Sequence, residues 1–430
     1  MTISFSDYLR LEWVPTLGCT EPASIAYAAA TAREIAGGTP TSVQVKVDPR
    51  IFKNCFAVGI PHSEHKTGIE WATAIGAALP TPEDKLQSFN RITPDVLARA
   101  RDLIERKCVH IAVEPSKSIL FIDCTVTTKR GSGRAVIEGD HTNIVMTERN
   151  GTPRAASGHD ATAANPEKTA GTSLRIREDL AHHLFEELCA IAHSIAKDER
   201  AKLMDGVRQN RTIAAHGLTL FPPRFVTPGD NDPRTRLAQL VCAGVYARMS
   251  GEDFRVMSLA GSGNKGIVAS VPLALWGEMQ NTPQALIEEA LALACLVTSA
   301  TTHHLGTLSA VCGCSNAAGI GLAAGLTHLM GGGGKEIGYS VSNMVGNVAG
   351  MICDGAKIGC ALKTMTSVDA AFRAADLAMA GIGIPYSDGI VGRDGIASLS
   401  NLGRIAGPGM ESMDREILAI MEEKLSRTSG

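Results

Sequence analysis

The run ALIEEALALACLVTSA, residues 285–300, sets the terms for what this chain can build. It is apolar, but its side chains are small, and the same character recurs in the 315–330 stretch and in TRLAQLVCAGVYARMS. Aromatic residues make up only 4% of the sequence against 44 glycines. A core poor in large rings must gain its contacts by bringing backbones close, and helices approach most closely where small residues face one another. The expectation is a helix-rich core. With 430 residues the chain exceeds what one small core needs, so two lobes are expected. Glu288 and Glu289 lie inside the apolar run, which is too short and too charged to span a bilayer.

The first part of the chain reads differently. Residues 1–40 suggest helix, turn, helix. TSVQVKVDP (41–49) alternates as a half-buried strand does, and NCFAVGIP (54–61) reads as its continuation or partner. IEWATAIGAAL (69–79) and PDVLARARDLIERK (94–107) are helical, the second opened by Thr93 and Pro94. CVHIAVEP, SILFIDCTVTTK and RAVIEGDHTNIVMTERNG, with the turn RGSGR before the last, read as an antiparallel meander. Residues 151–172 are small and polar, a long loop or lobe boundary. From about 174 the pattern is helical, interrupted by a strand-like interlude at 253–275. The predicted fold is α+β: a small mixed or antiparallel sheet lobe (1–165) packed on a larger, mostly helical core (166–430), unless the two intertwine as one domain.

Net charge is −3, which disfavours a polyanion partner such as nucleic acid. The N-terminus MTISFSDYLRLEWVP has no basic segment followed by an apolar run, so it is not read as a signal peptide. A soluble cytoplasmic protein with no membrane partner is expected, and its apolar helices are compatible with a homodimer. Eleven cysteines in a chain of this length do not read as a disulfide framework. Cys55, Cys108, Cys124, Cys189, Cys242 and Cys295 lie in strand-like or helical patterns and read as small buried hydrophobes. Cys19, Cys312, Cys314, Cys353 and Cys360 stand beside glycine at turns or helix ends.

The segment GMICDGAKIGC (350–360) separates Cys353 and Cys360 by too much for a zinc knuckle, and CGC (312–314) lies some forty residues upstream. By spacing alone these thiols are either ligands of a cluster that needs only convergence or small residues in packed turns. In TLGCTEPAS (16–24), Thr20 can cap the Ala-rich helix that follows and Pro22 suits its first turn. Cys19 then stands at a helix N-terminus, where the dipole favours thiolate. LAGSGNKGIVAS (259–270) offers backbone N–H groups, a hydroxyl, an amide and an ammonium, a set suited to a carboxylate or phosphate. GGGGK (331–335) reads as a helix-ending turn. His141 in DHTN is a substrate contact, an acid or base, or a turn residue. The paired histidines at 182–183 and 303–304 suggest no metal site.

GCTEPASIAYAAA, HTNIV, AGSGNKGI, CGCSNAAGIG and NMVGNVAGMICDGAKIGCALK together resemble the L-cysteine desulfidase family, related to the α chain of iron–sulfur L-serine dehydratases. The resemblance runs from Cys19 to about residue 395. It implies a [4Fe–4S] cluster with one iron left open, held by Cys353, Cys360 and either Cys314, the better match, or Cys312. It implies that Cys19 takes the α-proton with its pKa lowered toward neutrality. It implies that Thr20, Glu21, His141, Asn143, Ser262, Asn264 and Lys265 lie near a small amino-acid substrate. The implied reaction is β-elimination of L-cysteine to sulfide, ammonia and pyruvate without pyridoxal phosphate. The alternatives are the same scaffold dehydrating L-serine, and a non-catalytic metal- or ligand-binding protein.

Overall fold

The computed structural model describes residues 4–117, 120–139, 141–154, 166–225, 232–306 and 309–428. The chain opens with α1 (Phe5–Glu12), β1 (Trp13–Leu17) and α2 (Thr20–Ala36), then β2 (Pro40–Val47), α3 (Pro49–Cys55), α4 (Gly68–Ala78) and α5 (Pro94–Glu105). Strands β3 (Val109–Val113), β4 (Phe121–Thr128), β5 (Gly131–Glu138), β6 (Ile144–Arg149) and β7 (Thr152–Pro153) follow. Helices then dominate: α6 (Pro166–Ala181), α7 (Phe185–His193), α8 (Lys197–Leu218) and α9 (Pro233–Ser250). After β8 (Arg255–Leu259) come α10 (Gly263–Met279), α11 (Gln284–Leu305), α12 (Gly313–Leu329), α13 (Gly334–Val348), α14 (Cys360–Met379), α15 (Gly395–Ala406) and α16 (Glu411–Thr428). The fold is α+β.

Six strands form one sheet in the order β3-β2-β4-β5-β6-β7. The meander reading holds for β4, β5 and β6, which pair antiparallel in sequence. It fails for β3, which lies parallel to β2 at the edge, with Val43 opposite Val109, while β4 takes the other side of β2. Helix α5 supplies the crossover that a parallel pair requires. The RGSGR turn is also corrected: Gly131–Gly133 belong to β5, and the chain reverses just before them. Glycine suits position 133 because a methyl there would overlap the Ala32 carbonyl of α2, which packs on this face.

Other expectations give way to burial and capping. NCFAVGIP is not a strand: Asp48 caps α3 by accepting from Arg50 and Ile51 N–H, with Pro49 in the first turn. The strand-like interlude 253–275 contains only the short β8, because GIVASVPLAL lies in α10, buried almost all round. A helix enclosed on every side loses the amphipathic period and reads as a strand. The segment from Ile176 to Ala196 is interrupted between Ala181 and Phe185, and a strand, β1, stands where a turn was expected between α1 and α2. The 151–172 loop reading falls largely outside the described residues, apart from β7 and the start of α6.

Two apolar clusters form. One gathers α1 with the helices from α6 onward; the other packs α2, α4 and α5 on the sheet. The chain crosses between them at both ends. β1 pairs antiparallel with β8 of the helical part, and α16 returns Ile417 and Met421 to the sheet cluster. Helix α11 is long and apolar enough to cross a membrane by length and composition, and 78% of its most apolar window is buried inside the fold.

Asp48 is the local keystone of the sheet. Besides capping α3, it accepts from the Phe121 N–H at 2.8 Å and is 1% exposed. Asp48→Ala removes a cap worth about 1 kcal/mol and leaves a buried N–H unpaired at a further cost of about 1–3 kcal/mol. The expected outcome is a loss of about 2–4 kcal/mol in urea unfolding, with Asp48→Asn losing less because its amide oxygen still accepts.

Candidate functional site

Cys19 is itself the N-cap of α2, one residue earlier than the cap expected at Thr20. Its Sγ donates to Glu21 Oε2 at 3.1 Å, and Asn54 of α3 donates to Glu21 Oε1 at 3.2 Å. Thr20 Oγ1 also donates to Glu21. Burial pushes the Cys19 thiol well above its ordinary range, the Glu21 charge adds to this, and Arg248 opposes it. The expected shift toward neutrality therefore does not occur. Desolvation of a thiolate can move a pKa by several units, whereas a helix N-terminus contributes about 0.3–1 kcal/mol, less than one unit.

The CGC turn and the GMICDGAKIGC segment meet. Cys312 N–H donates to Met351 O at 2.8 Å and Cys353 N–H to Ala310 O at 2.7 Å, a two-stranded bridge that sets the turns side by side. Cys312 caps α12, Cys314 lies in its first turn, and Cys360 begins α14. Cys312 acts on each of the other three thiols. Cys314 is lowered by its hydrogen bond from Cys312, against burial; that bond, together with burial, raises Cys312. Burial raises Cys353 and pushes Cys360 up to about 12, with Cys312 adding to both. Cys360 in turn lies near enough to raise Cys19, so the two sequence motifs belong to one place. Among the described residues no group of three or more His, Cys, Asp or Glu side chains is arranged to hold a single metal ion.

The GSGNK loop closes the same region. Ser262 Oγ lies 3.5 Å from Cys314 Sγ. Lys265, 4% exposed, donates to Ala260 O and Thr302 Oγ1, and burial pushes its ammonium down to about 8. Asn264 accepts from Arg248 at 3.0 Å. Asn143 donates to Glu138 O and closes the β5–β6 turn; His141, whose carbonyl accepts from Ser24 Oγ of α2, lines a cavity of about 650 Å³ together with Thr20, Arg177 and Gly261. That cavity lies along β1 and the GSGNK turn.

Residues 138–419 match the serine dehydratase alpha chain family. The chain belongs to the serine dehydratase alpha chain family. The sequence is 37% identical over 423 residues to a UPF0597 protein of Caldanaerobacter subterraneus subsp. tengcongensis, covering 97% of this chain and 98% of that one. It is 35% identical over 430 residues to a UPF0597 protein of Geobacter sulfurreducens, covering 98% and 99%, and 33% identical over 422 residues to one of Clostridium tetani, covering 97% and 98%. The segment matched to the serine dehydratase alpha chain family holds the GSGNK loop and all four clustered cysteines, and begins downstream of Cys19. Membership points to lyase chemistry.

Sequence reasoning missed Arg248, Asn54 and Lys53, which sit in helices with no local motif, and left the roles of Asp354 and Lys357 open. Lys53, 2% exposed, pairs with Asp414 of α16 at 2.6 Å and lies close enough to Cys353 to favour its thiolate. Asp354 binds Lys357 and Lys363, and Lys363 also donates to Ile352 O at 2.8 Å. Only the fold brings these groups to the cysteine turns.

Gly355 has φ +94°, and a methyl there would overlap the Lys53 carbonyl oxygen. Gly355→Ala combines left-handed strain of about 1 kcal/mol with a main-chain clash, so a loss of about 2–4 kcal/mol is expected. Thermal melting measures it.

Proposed function

We propose that this protein is an iron–sulfur lyase that eliminates sulfide from L-cysteine, leaving pyruvate and ammonia. The observation that carries the reading is the bridge that sets the CGC turn beside the Cys353 turn, with Ser262 of the GSGNK loop 3.5 Å from Cys314 and Arg248 tying that loop to the Gly18–Cys19 turn. Three thiols from separate turns, two of them in the first turns of helices, suit a cluster that takes one thiolate per iron and is anionic overall. Their spacing does not suit a single ion. Cys314, Cys353 and Cys360 would hold the cluster, with Cys312 the alternative to Cys314. When bound, such a group supplies a Lewis acid at an open iron and a soft partner for sulfur.

The chain's own groups account for the proton. Cys19 passes its thiol proton to Glu21 along the existing 3.1 Å hydrogen bond, and the resulting thiolate removes the substrate α-proton. The electrons of the broken C–H bond form the Cα–Cβ double bond, and the C–S bond breaks with its pair leaving on sulfur. The aminoacrylate released tautomerises to an imine, which one water hydrolyses to pyruvate and ammonia. Ser262 and Lys265 offer the polar groups that would orient the substrate carboxylate. L-Serine on the same scaffold is the second reading, favoured by the name of the matched family.

Anaerobic reconstitution followed by parallel sulfide and pyruvate assays on L-cysteine and L-serine tests the substrate. Sulfide with equimolar pyruvate, faster than turnover of serine, is the expected result; pyruvate from serine alone selects the second reading. Cys353→Ala loses iron and activity together. Cys19→Ala retains iron and loses at least about 10²-fold in kcat, the lower range for removing a positioned base. Because the Cys19 thiol sits above its ordinary range, the thiolate fraction grows with alkalinity. The kcat/KM for L-cysteine therefore rises from about pH 7 to about pH 9 rather than levelling at neutrality.

A further inference from the structure

Arg248 is 3% exposed and lies in the last turn of α9. Among the described residues its guanidinium reaches only neutral acceptors: Gly18 O at 2.6 Å and Asn264 Oδ1 at 3.0 Å. The Nε–H is buried and has no hydrogen-bond partner. Among the described residues no carboxylate stands within ion-pair distance of it. An arginine side chain stays charged in proteins, and a buried charge without a counter-ion costs several kcal/mol. The fold nevertheless makes room for it: a methyl at Gly263 would lie 2.5 Å from Arg248 Nε and 2.6 Å from Val256 Cγ2.

The one acidic group beside it that this chain's proposed chemistry charges is Cys19, the residue after Gly18. The titratable groups facing Cys19 are Glu21 on its own helix, Cys55 from α3, Cys360 from α14 and Arg248 from α9. Of these only Arg248 is a cation. Arg248 does not line the 650 Å³ cavity, and its Nε is buried beside Gly263.

We infer that Arg248 is a positioning residue for Cys19: it fixes the Gly18–Cys19 turn and supplies the counter-charge for the Cys19 thiolate. The inference rests on Cys19 acting as the base proposed above. Together with Glu21 it completes a charge arrangement in which the proton leaves toward the carboxylate and the negative sulfur remains beside the guanidinium.

The test reads Cys19 directly in the metal-free protein. Iodoacetamide alkylation of the Cys19 peptide, followed by mass spectrometry from about pH 6 to about pH 10, is compared among wild type, Arg248→Gln and Arg248→Lys. Loss of the counter-charge is expected to displace the Gln profile toward alkaline pH by about one unit, about tenfold slower alkylation at a given pH. Lys is expected to restore most of the rate. A merely structural anchor predicts the opposite sign, because a loosened turn exposes Cys19 and speeds its alkylation; unchanged or faster alkylation in Gln overturns the inference. If Arg248→Gln does not fold, Arg248→Lys decides alone: a displacement under about one unit supports the counter-charge, and a larger one overturns it. A Gln variant that raises KM without displacing the profile makes Arg248 a substrate contact and also overturns it. Normal turnover by Cys19→Ala would remove Cys19 from the mechanism while leaving the alkylation result to stand by itself.

Discussion

At Gly76 an added methyl would lie 2.5 Å from the Ala26 backbone, and at Gly325 it would lie 2.9 Å from the Ala290 carbonyl oxygen. Gly217 against Ala243 and Gly321 against Ala294 are as close. Main chain lies directly on main chain across α2–α4, α11–α12 and α8–α9. This close approach is what the rest of the structure depends on. It lets a chain with 4% aromatic residues fill its interior, since dispersion contacts and apolar burial come from many short side chains rather than a few rings. It also leaves little slack. Elements packed backbone to backbone hold their ends in register, and the cysteine turns are such ends.

Several of those ends are helix N-termini held near one another: Arg248 ties the Gly18–Cys19 turn to Asn264, and Ser262 lies 3.5 Å from Cys314. Their exposed N–H groups favour anions, but the favour is modest beside the cost of burial. For Cys19, Cys353 and Cys360 burial prevails and raises the thiols; for Cys314 the hydrogen bond from Cys312 prevails and the shift reverses. A neutral thiol costs little to bury, whereas neighbouring buried thiolates would repel one another strongly.

The two apolar clusters are joined by chain segments that violate the simple order of the sequence. β1 leaves the N-terminal part to pair with β8, and α16 returns from the C-terminus to rest on the sheet cluster, where Asp414 meets Lys53. The site lies where these crossings concentrate. Cys19 caps α2, Asn54 lies in α3, Arg248 in α9, Cys312 and Cys360 at the starts of α12 and α14, and Lys53 reaches from α3 to the Cys353 turn. Holding the two clusters together and assembling the site are therefore the same structural task.

Sequence alone determined the helix-rich core, the alternating strands β2, β4 and β5, the capped start of α5 at Thr93, and the short motifs around Cys19, Ser262, Cys314, Cys353 and Cys360. Each is written in local period, cap chemistry or contiguous spelling, and the GCTEP and cysteine motifs were readable enough to suggest one chemistry. Only the tertiary structure decided that β3 runs parallel to β2, that GIVASVPLAL is a helix, and that the CGC turn bridges to Met351 and Ala310. Only it placed Arg248, ordinary in the sequence of its helix, without a counter-ion beside Cys19, and it turned the expected easing of the Cys19 proton into the reverse. The reason is physical. Strand pairing, desolvation and charge all depend on neighbours far away in the chain, and no local pattern records who those neighbours are.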